Sequence, residues 1–252
     1  MTDMANKERP HYENAPITEA LITIGFFPEE FGEDQAARVQ KLAVLEFPGS
    51  HFQLESWIGN SPIREDASGT TPIEDSGKVV PYSVTVGKGS FSFSRLQPYD
   101  TWEDLRQHAL SFWNRFVDEF TITKITQLSI RTVNRIPVNV SQDRKANLTD
   151  FVQLFPVWNL HAMPWTMNDF FLNVHLTVPD KGIAVRIREG TVSPKDGLGP
   201  TILFDTDVVT RHGLPEHPKD VDAIIARLEV LHQVRNQAFE ATITDLVREM
   251  IA

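Results

Sequence analysis

The feature that most constrains the fold is an amphipathic segment at residues 101–120. Its apolar side chains recur at steps of three and four, and they are Trp102, Leu105, Ala109, Phe112, Trp113, Phe116 and Phe120. One broad apolar stripe predicts a helix that buries a single face against a core. Asp100 is the predicted N-cap, with Glu103 as its capping-box partner, and Pro98 keeps the preceding chain extended. Such a helix needs a sheet or other helices to cover its apolar face.

Strand-like segments lie on both sides of this helix. They share β-branched and aromatic residues bounded by turn residues, and they cover residues 21–26, 51–58, 79–86, 90–95 and 126–137. Gly87-Lys88-Gly89 joins two of them and has the backbone freedom of a tight hairpin turn. Apolar periodicity predicts a helix over residues 29–45. Residues 61–77 are rich in Ser, Pro, Gly, Thr, Asp and Glu and predict an exposed loop.

The second half of the chain contains similar elements. Residues 169–178 and 183–189 predict a hairpin with Pro179-Asp180-Lys181-Gly182 at its tip, and residues 201–209 predict another strand. Residues 218–251 have the pattern of a long helix, with a break near Thr242 because β-branched residues cluster there.

These elements predict an α+β fold with a largely antiparallel sheet and packed amphipathic helices. Hairpin, strand and helix occur once in each half, which favours two loosely repeated units at residues 14–140 and 141–252. Residues 1–13 are polar and predict a flexible tail. A length of 252 residues is also compatible with one continuous domain.

Composition limits the classes of function. The formal net charge is −10, with 24 basic and 34 acidic residues, and this argues against nucleic acid, whose affinity depends on clustered Lys and Arg. An acidic surface suits solubility or a basic protein partner. There is no cysteine, and we find no secretory signal and no membrane-spanning apolar run, so we expect a cytoplasmic protein.

The sequence lacks the common catalytic and cofactor motifs. It contains no nucleophile elbow, P-loop, dinucleotide-binding glycine motif or His-Glu-x-x-His. A cluster of His212, His217 and His232 with Asp205 and Asp207 is conceivable, but the spacing matches no metal-ligand motif. We therefore predict no catalytic residues, no metal and no cofactor, and we favour a protein that is not an enzyme.

Three arginines are the candidate site residues. Arg95, Arg131 and Arg135 would suit a carboxylate or phosphate if they converged, because guanidinium groups bind such anions bidentately. The favoured alternative is that each pairs with an internal carboxylate, for which Glu103, Asp104 and Glu19 are candidates.

Two aromatic residues near the corner also have two interpretations. Tyr99 and Trp102 would suit stacking on a nucleobase. They more often anchor a corner of the fold, with the Tyr hydroxyl bonded to the backbone and the Trp side chain in the core, and we favour that role.

The chain also resembles a sporadically distributed prokaryotic family without an assigned activity. The resemblance rests on Asn14-Ala15-Pro16, the Phe93–Trp102 block, Arg131-x-x-Asn134-Arg135, and Arg235-Asn236-x-x-Phe239. It covers nearly the whole chain except residues 139–166. It implies an accessory gene of mobile or defence loci.

Together these features lead to two expectations of function. The first is a non-catalytic adaptor, regulator or immunity-type component that binds a protein partner. The second is a protein or enzyme that binds a small anionic ligand through the three arginines. The sequence does not indicate an oligomeric state.

Overall fold

The computed structural model describes residues 12, 15–27, 38, 41–42, 51–54, 56–58, 61–63, 82–87, 89–138, 150–154, 169–192 and 201–252. Its strands are β1 (Ile17–Phe27), β2 (His51–Leu54), β3 (Ser56–Ile58), β4 (Ser61–Ile63), β5 (Tyr82–Gly87), β6 (Ser90–Leu96), β7 (Lys124–Pro137), β8 (Phe171–Val178), β9 (Ile183–Val192) and β10 (Thr201–Thr210). Its main helices are α1 (Trp102–Glu119), α2 (Val221–Thr242) and α3 (Asp245–Ile251).

Eight of the strands form one sheet in the order β2-β5-β6-β1-β7-β10-β9-β8. All neighbours are antiparallel except β2 and β5, which are parallel. The predicted α+β class and largely antiparallel sheet are therefore confirmed. β3 and β4 form a separate two-stranded sheet, so the predicted loop at 61–77 is wrong for its first three residues, which pair with a neighbouring strand. Residues 64–77 lie outside the described part of the chain.

The two halves of the chain meet in the middle of the sheet. β7 pairs with β1 on one side and with β10 on the other, so the sheet is continuous across the predicted boundary at residue 140. The first half runs hairpin, helix, strand, whereas the second runs hairpin, strand, helix. The halves thus share their elements but differ in the order of those elements. Of the predicted tail, the described residue Tyr12 donates a hydrogen bond to Glu240 at 2.7 Å.

The helix termini differ in one respect from the sequence prediction. The N-cap of α1 is Thr101, whose hydroxyl accepts from the Asp104 N–H at 3.1 Å. The predicted cap Asp100 is wrong because its carboxylate is bound by Arg95 instead. The predicted break near Thr242 is confirmed, since α2 ends there and Thr244 caps α3. The predicted helix at 29–45 lies mostly outside the described residues.

The helices pack on one face of the sheet and divide its core into two apolar clusters. The larger cluster joins α1 to β1 and β6, and includes the fully buried Trp113 and Phe116. The smaller joins the end of α2, together with α3, to the start of β10. Polar residues from β7 and β10 lie between them, among them Thr132 and Thr206. No helix in the described part of the chain is long and apolar enough to span a bilayer.

Candidate functional site

The three predicted arginines lie on two different faces of the sheet. Ala20 of β1 is in register with Arg95, whereas its neighbour Leu21 is in register with Arg131. Since successive residues of a strand point to opposite faces, Arg95 faces the helices and Arg131 faces away from them. Arg135 shares the face of Arg131 because it lies four residues further along β7. One small anion cannot contact all three side chains.

Arg95 braces the corner that precedes α1. Its side chain is buried, its Nε donates to the Pro98 carbonyl at 3.1 Å, and it forms an ion pair with Asp100 at 2.6 Å. Its guanidinium also lies 4.5 Å from the centre of the Tyr82 ring, within cation–π distance. These contacts fix the strand-to-helix turn.

Arg131 belongs to a charged network centred on Asp205 on the outer face, which is the face opposite the helices. It binds Asp205 of β10 bidentately, with distances of 2.7 and 2.8 Å. Arg188 of β9 also binds Asp205, whose side chain is only 4% exposed. The hydrogen bonds to Asp205 raise the pKa of Arg131. The nearby Asp207 has a raised pKa, mainly because it is desolvated by burial.

The partner carboxylates are therefore Asp100 and Asp205, not the candidates Glu103, Asp104 and Glu19. For Arg131, the partner lies 74 residues away in the sequence, and only the β7–β10 register brings the two together. Among the described residues, Arg135 has no carboxylate partner. Its backbone N–H donates to the Pro16 carbonyl at 3.0 Å.

Trp102 lies in the core, as the favoured interpretation predicts. Its indole Nε1 donates to Glu229 of α2 at 2.7 Å, and its ring stacks on His232 with centroids 4.4 Å apart. Arg106 also binds Glu229. Tyr99 is half-buried, and burial raises its pKa to about 12. These aromatic side chains connect α1 and the preceding corner to α2.

A layer of buried polar groups separates the two apolar clusters, and we call it the polar layer. It comprises Thr132, Thr206, Glu189 and Arg235, all of which point to the helix side of the sheet or lie on α2. In each of these residues at least one buried polar atom has no hydrogen-bond partner among the described residues. Native proteins rarely leave such groups unpaired, so each needs an explanation.

Glu189 is the buried acid of this layer. It is fully buried, and desolvation raises its pKa to about 8. The Thr242 hydroxyl lowers the pKa of Glu189, but by less than burial raises it. In the structure this hydroxyl donates its proton to the Phe239 carbonyl at 2.8 Å and not to Glu189. The carboxyl group is consequently protonated at neutral pH.

Arg235 is the buried base of the layer. Burial lowers its pKa to about 10, so it stays charged at neutral pH, and Tyr99 is the ionisable group that opposes this lowering. The described residues provide no carboxylate for it. Sequence reasoning did not single out either Arg235 or Glu189 as an unpaired buried charge.

Of the strands that the structure describes, β8 is the last on one side of the sheet, and we call its side away from β9 the open edge. Among the described strands it pairs only with β9. Phe171 is 67% exposed and Leu176 is 47% exposed, although both are large apolar residues. Edge strands are usually protected by charge, proline or bulges, and the sequence Phe-Leu-Asn-Val-His-Leu-Thr-Val has none of these.

The described residues contain no group of three or more His, Asp or Glu that could hold a metal. Asp205 is engaged by arginines on the outer face, and His232 stacks on Trp102 on the other side of the sheet. Two open hollows of about 550 and 640 Å³ lie at surface turns, one beside His217 and Lys219, the other beside His212 and Arg227. No protein-family model matches the chain, and a search of curated proteins finds no match.

Proposed function

We propose that the protein is a non-catalytic binding protein, acting as an adaptor, regulator or immunity-type component of a prokaryotic accessory or defence system. The observation that supports this proposal is the open edge at β8. We propose that an extended segment of a partner protein pairs with this edge and continues the sheet.

The hydrogen-bond pattern identifies the backbone groups of β8 that point away from β9. The Thr191 N–H donates to the Phe170 carbonyl at 3.1 Å, so residues 170 and 191 form a hydrogen-bonded pair next to β8. Pairing alternates along an antiparallel ladder. The residues whose N–H and C=O groups point to the open edge are therefore Phe171, Asn173, His175 and Thr177.

The side chains of β8 also favour a protein partner. Leu172, Val174 and Leu176 lie on the helix side of the sheet, at the end of the apolar layer, and each is at least partly exposed. A paired segment with apolar residues at alternate positions would cover them. Burial of apolar surface stabilises by about 25 cal/mol per Å².

Charge supports approach at this edge in particular. The chain has a net charge of −10, yet β8 has no formally charged residue. A partner that approaches β8 thus avoids desolvating acidic side chains, which would cost free energy in an interface. On β9, Arg188 and Arg186 lie opposite Asn173 and His175, and they add positive potential beside the edge.

The test compares two substitutions at one position. Asn173→Pro removes an N–H that points to the open edge, where proline is tolerated in folded sheets, so the fold should persist while strand pairing is blocked. Asn173→Ala retains the N–H and is the matched control. Proteins captured by the native chain are identified by mass spectrometry, and binding is measured with each purified partner.

We expect Asn173→Pro to lower partner affinity at least tenfold and Asn173→Ala to leave it nearly unchanged. Amide hydrogen exchange at residues 171–177 should slow in the wild-type complex. A partner that binds Asn173→Pro as tightly as the wild type would refute strand pairing. If the edge is occupied only by a second copy of this chain, as shown by sedimentation, the adaptor proposal fails.

A further inference from the structure

We propose that Arg235 is the central cation of a binding site for a small oxyanion, a carboxylate or a phosphate, enclosed between α2 and the β7–β10 pair. This site is separate from the open edge at β8, and it differs from the three arginines that the sequence suggested. The proposal rests on three buried hydrogen-bond donors of the polar layer that have no partner among the described residues.

The position of Arg235 follows from packing on either side of it. Phe239 of α2 lies against Phe204 of β10, with ring centroids 6.1 Å apart. Two residues along a strand and four along a helix both span about 6 Å. Phe204 and Phe239 belong to the smaller cluster, and Val208 and Leu231 to the larger. From this spacing we place Arg235 opposite Thr206, between the two clusters.

Thr206 has a second hydroxyl beside it. Thr132 is its direct cross-strand neighbour on β7, and both residues are 1% exposed. Neither Oγ1 atom has a hydrogen-bond partner among the described residues, and the same holds for Arg235 Nε. All three atoms can donate, and the guanidinium N–H can only donate, so one anionic acceptor placed here would satisfy all three.

The charge of the layer points to an anionic acceptor. Arg235 is 8% exposed and retains its charge at neutral pH, yet no described carboxylate neutralises it. An isolated buried guanidinium is costly, whereas a bound carboxylate or phosphate oxygen would provide both the missing charge and the missing acceptors.

Nearby acids do not supply this counter-charge. Asp100 is occupied by Arg95, and Asp104 accepts from Tyr82 and pairs with His108 at 3.2 Å. Glu189 is on β9, and its charge does not influence the pKa of Arg235. The half-buried Tyr99 does influence the pKa of Arg235, and its own raised pKa keeps it neutral and able to donate.

The experiment measures thermal unfolding of the full chain at pH 7 and constant ionic strength, with increasing inorganic phosphate or acetate. Binding to the folded state raises the unfolding midpoint, by about 5 °C at a concentration a hundredfold above Kd. We expect a saturable rise for the wild type with at least one of the two anions.

Matched variants assign the effect to Arg235. Arg235→Met should abolish the rise and, without added anion, should melt no lower than the wild type. Arg186→Met removes an exposed arginine from the other face and should retain the rise. Should Arg235→Met not fold, Thr206→Val removes one donor at nearly constant volume, and it should weaken anion binding about tenfold.

Two results would overturn the proposal. One is a wild-type midpoint that responds to neither anion, which would leave buried water as the acceptor. The other is a response of equal size in Arg235→Met, or in Thr206→Val if that variant is used. Neither result bears on partner binding at β8, since the two sites share no residue.

Discussion

Replacing Glu189 by Gln should change how stability depends on pH. In the folded protein the carboxyl group is fully buried and its pKa is raised to about 8, compared with 4.5 in an exposed position. The folded state therefore holds a proton that the unfolded chain releases above pH 4.5. The Glu189 carboxyl therefore makes its full contribution to the stability of the folded protein below pH 4.5, and this contribution is lost as the pH rises towards 8.

The size of the effect follows from the two pKa values. One pKa unit corresponds to about 1.4 kcal/mol, so the loss between pH 4.5 and 8 amounts to at most about 5 kcal/mol. Gln resembles the protonated acid in shape and carries no charge at any pH. We expect Glu189→Gln to match the wild type at pH 5 within about 1–3 kcal/mol, since its amide also lacks a partner. At pH 9 the variant should be the more stable protein.

Urea unfolding at pH 5, 7 and 9 measures this difference, because the midpoint and slope give the free energy of unfolding at each pH. Glu103→Gln, at an exposed position of α1, makes the same change of residue and serves as the control. Parallel stability curves for the wild type and Glu189→Gln between pH 5 and 9 would refute a raised pKa at this carboxyl.

Two further substitutions test the helix face and the outer face of the sheet. Trp113→Ala should lower the free energy of unfolding by about 3–5 kcal/mol, since the side chain is fully buried and its Nε1 donates to the Pro218 carbonyl at 2.9 Å. A urea midpoint close to that of the wild type would contradict this packing. Arg131→Gln should cost about 2–4 kcal/mol, because the nearly buried Asp205 keeps only Arg188. Stability unchanged from the wild type would show that Arg131 does not brace the sheet.

Local patterns account for the elements that the sequence predicted well. The apolar stripe of α1 defines its buried face, and all of the stripe's large side chains are buried. The hairpin of β5 and β6 follows from the glycines of its turn, where Gly89 adopts a positive φ of 67°. The cap of α1 differed by one residue because Asp100 and Thr101 are both good N-caps. The ion pair with Arg95, five residues earlier in the chain, engages the Asp100 carboxylate, and Thr101 caps the helix instead.

Long-range register accounts for what the sequence did not predict. The alternation of strands shows that Arg131 and Arg135 share a face, but not that Arg95 lies on the other, because strand order is not encoded locally. The polar layer did leave a signal. Glu189 continues the buried alternation of Ile183, Val185 and Ile187 in β9. A charged residue in phase with an apolar stripe is a sign of a buried charge.

Arg235 leaves the same signal in a helix. It falls four residues after Leu231 and four before Phe239, both of which are buried. The two buried ionisable residues of the layer have separate influences on their pKa values: burial and Tyr99 act on Arg235, and burial and Thr242 act on Glu189. At neutral pH Glu189 is protonated, so the charge of Arg235 has no carboxylate partner in the part of the chain that the structure describes. Although the chain has a net charge of −10, none of its described carboxylates neutralises Arg235. An anion from solution bound at this position would meet three buried hydrogen-bond donors.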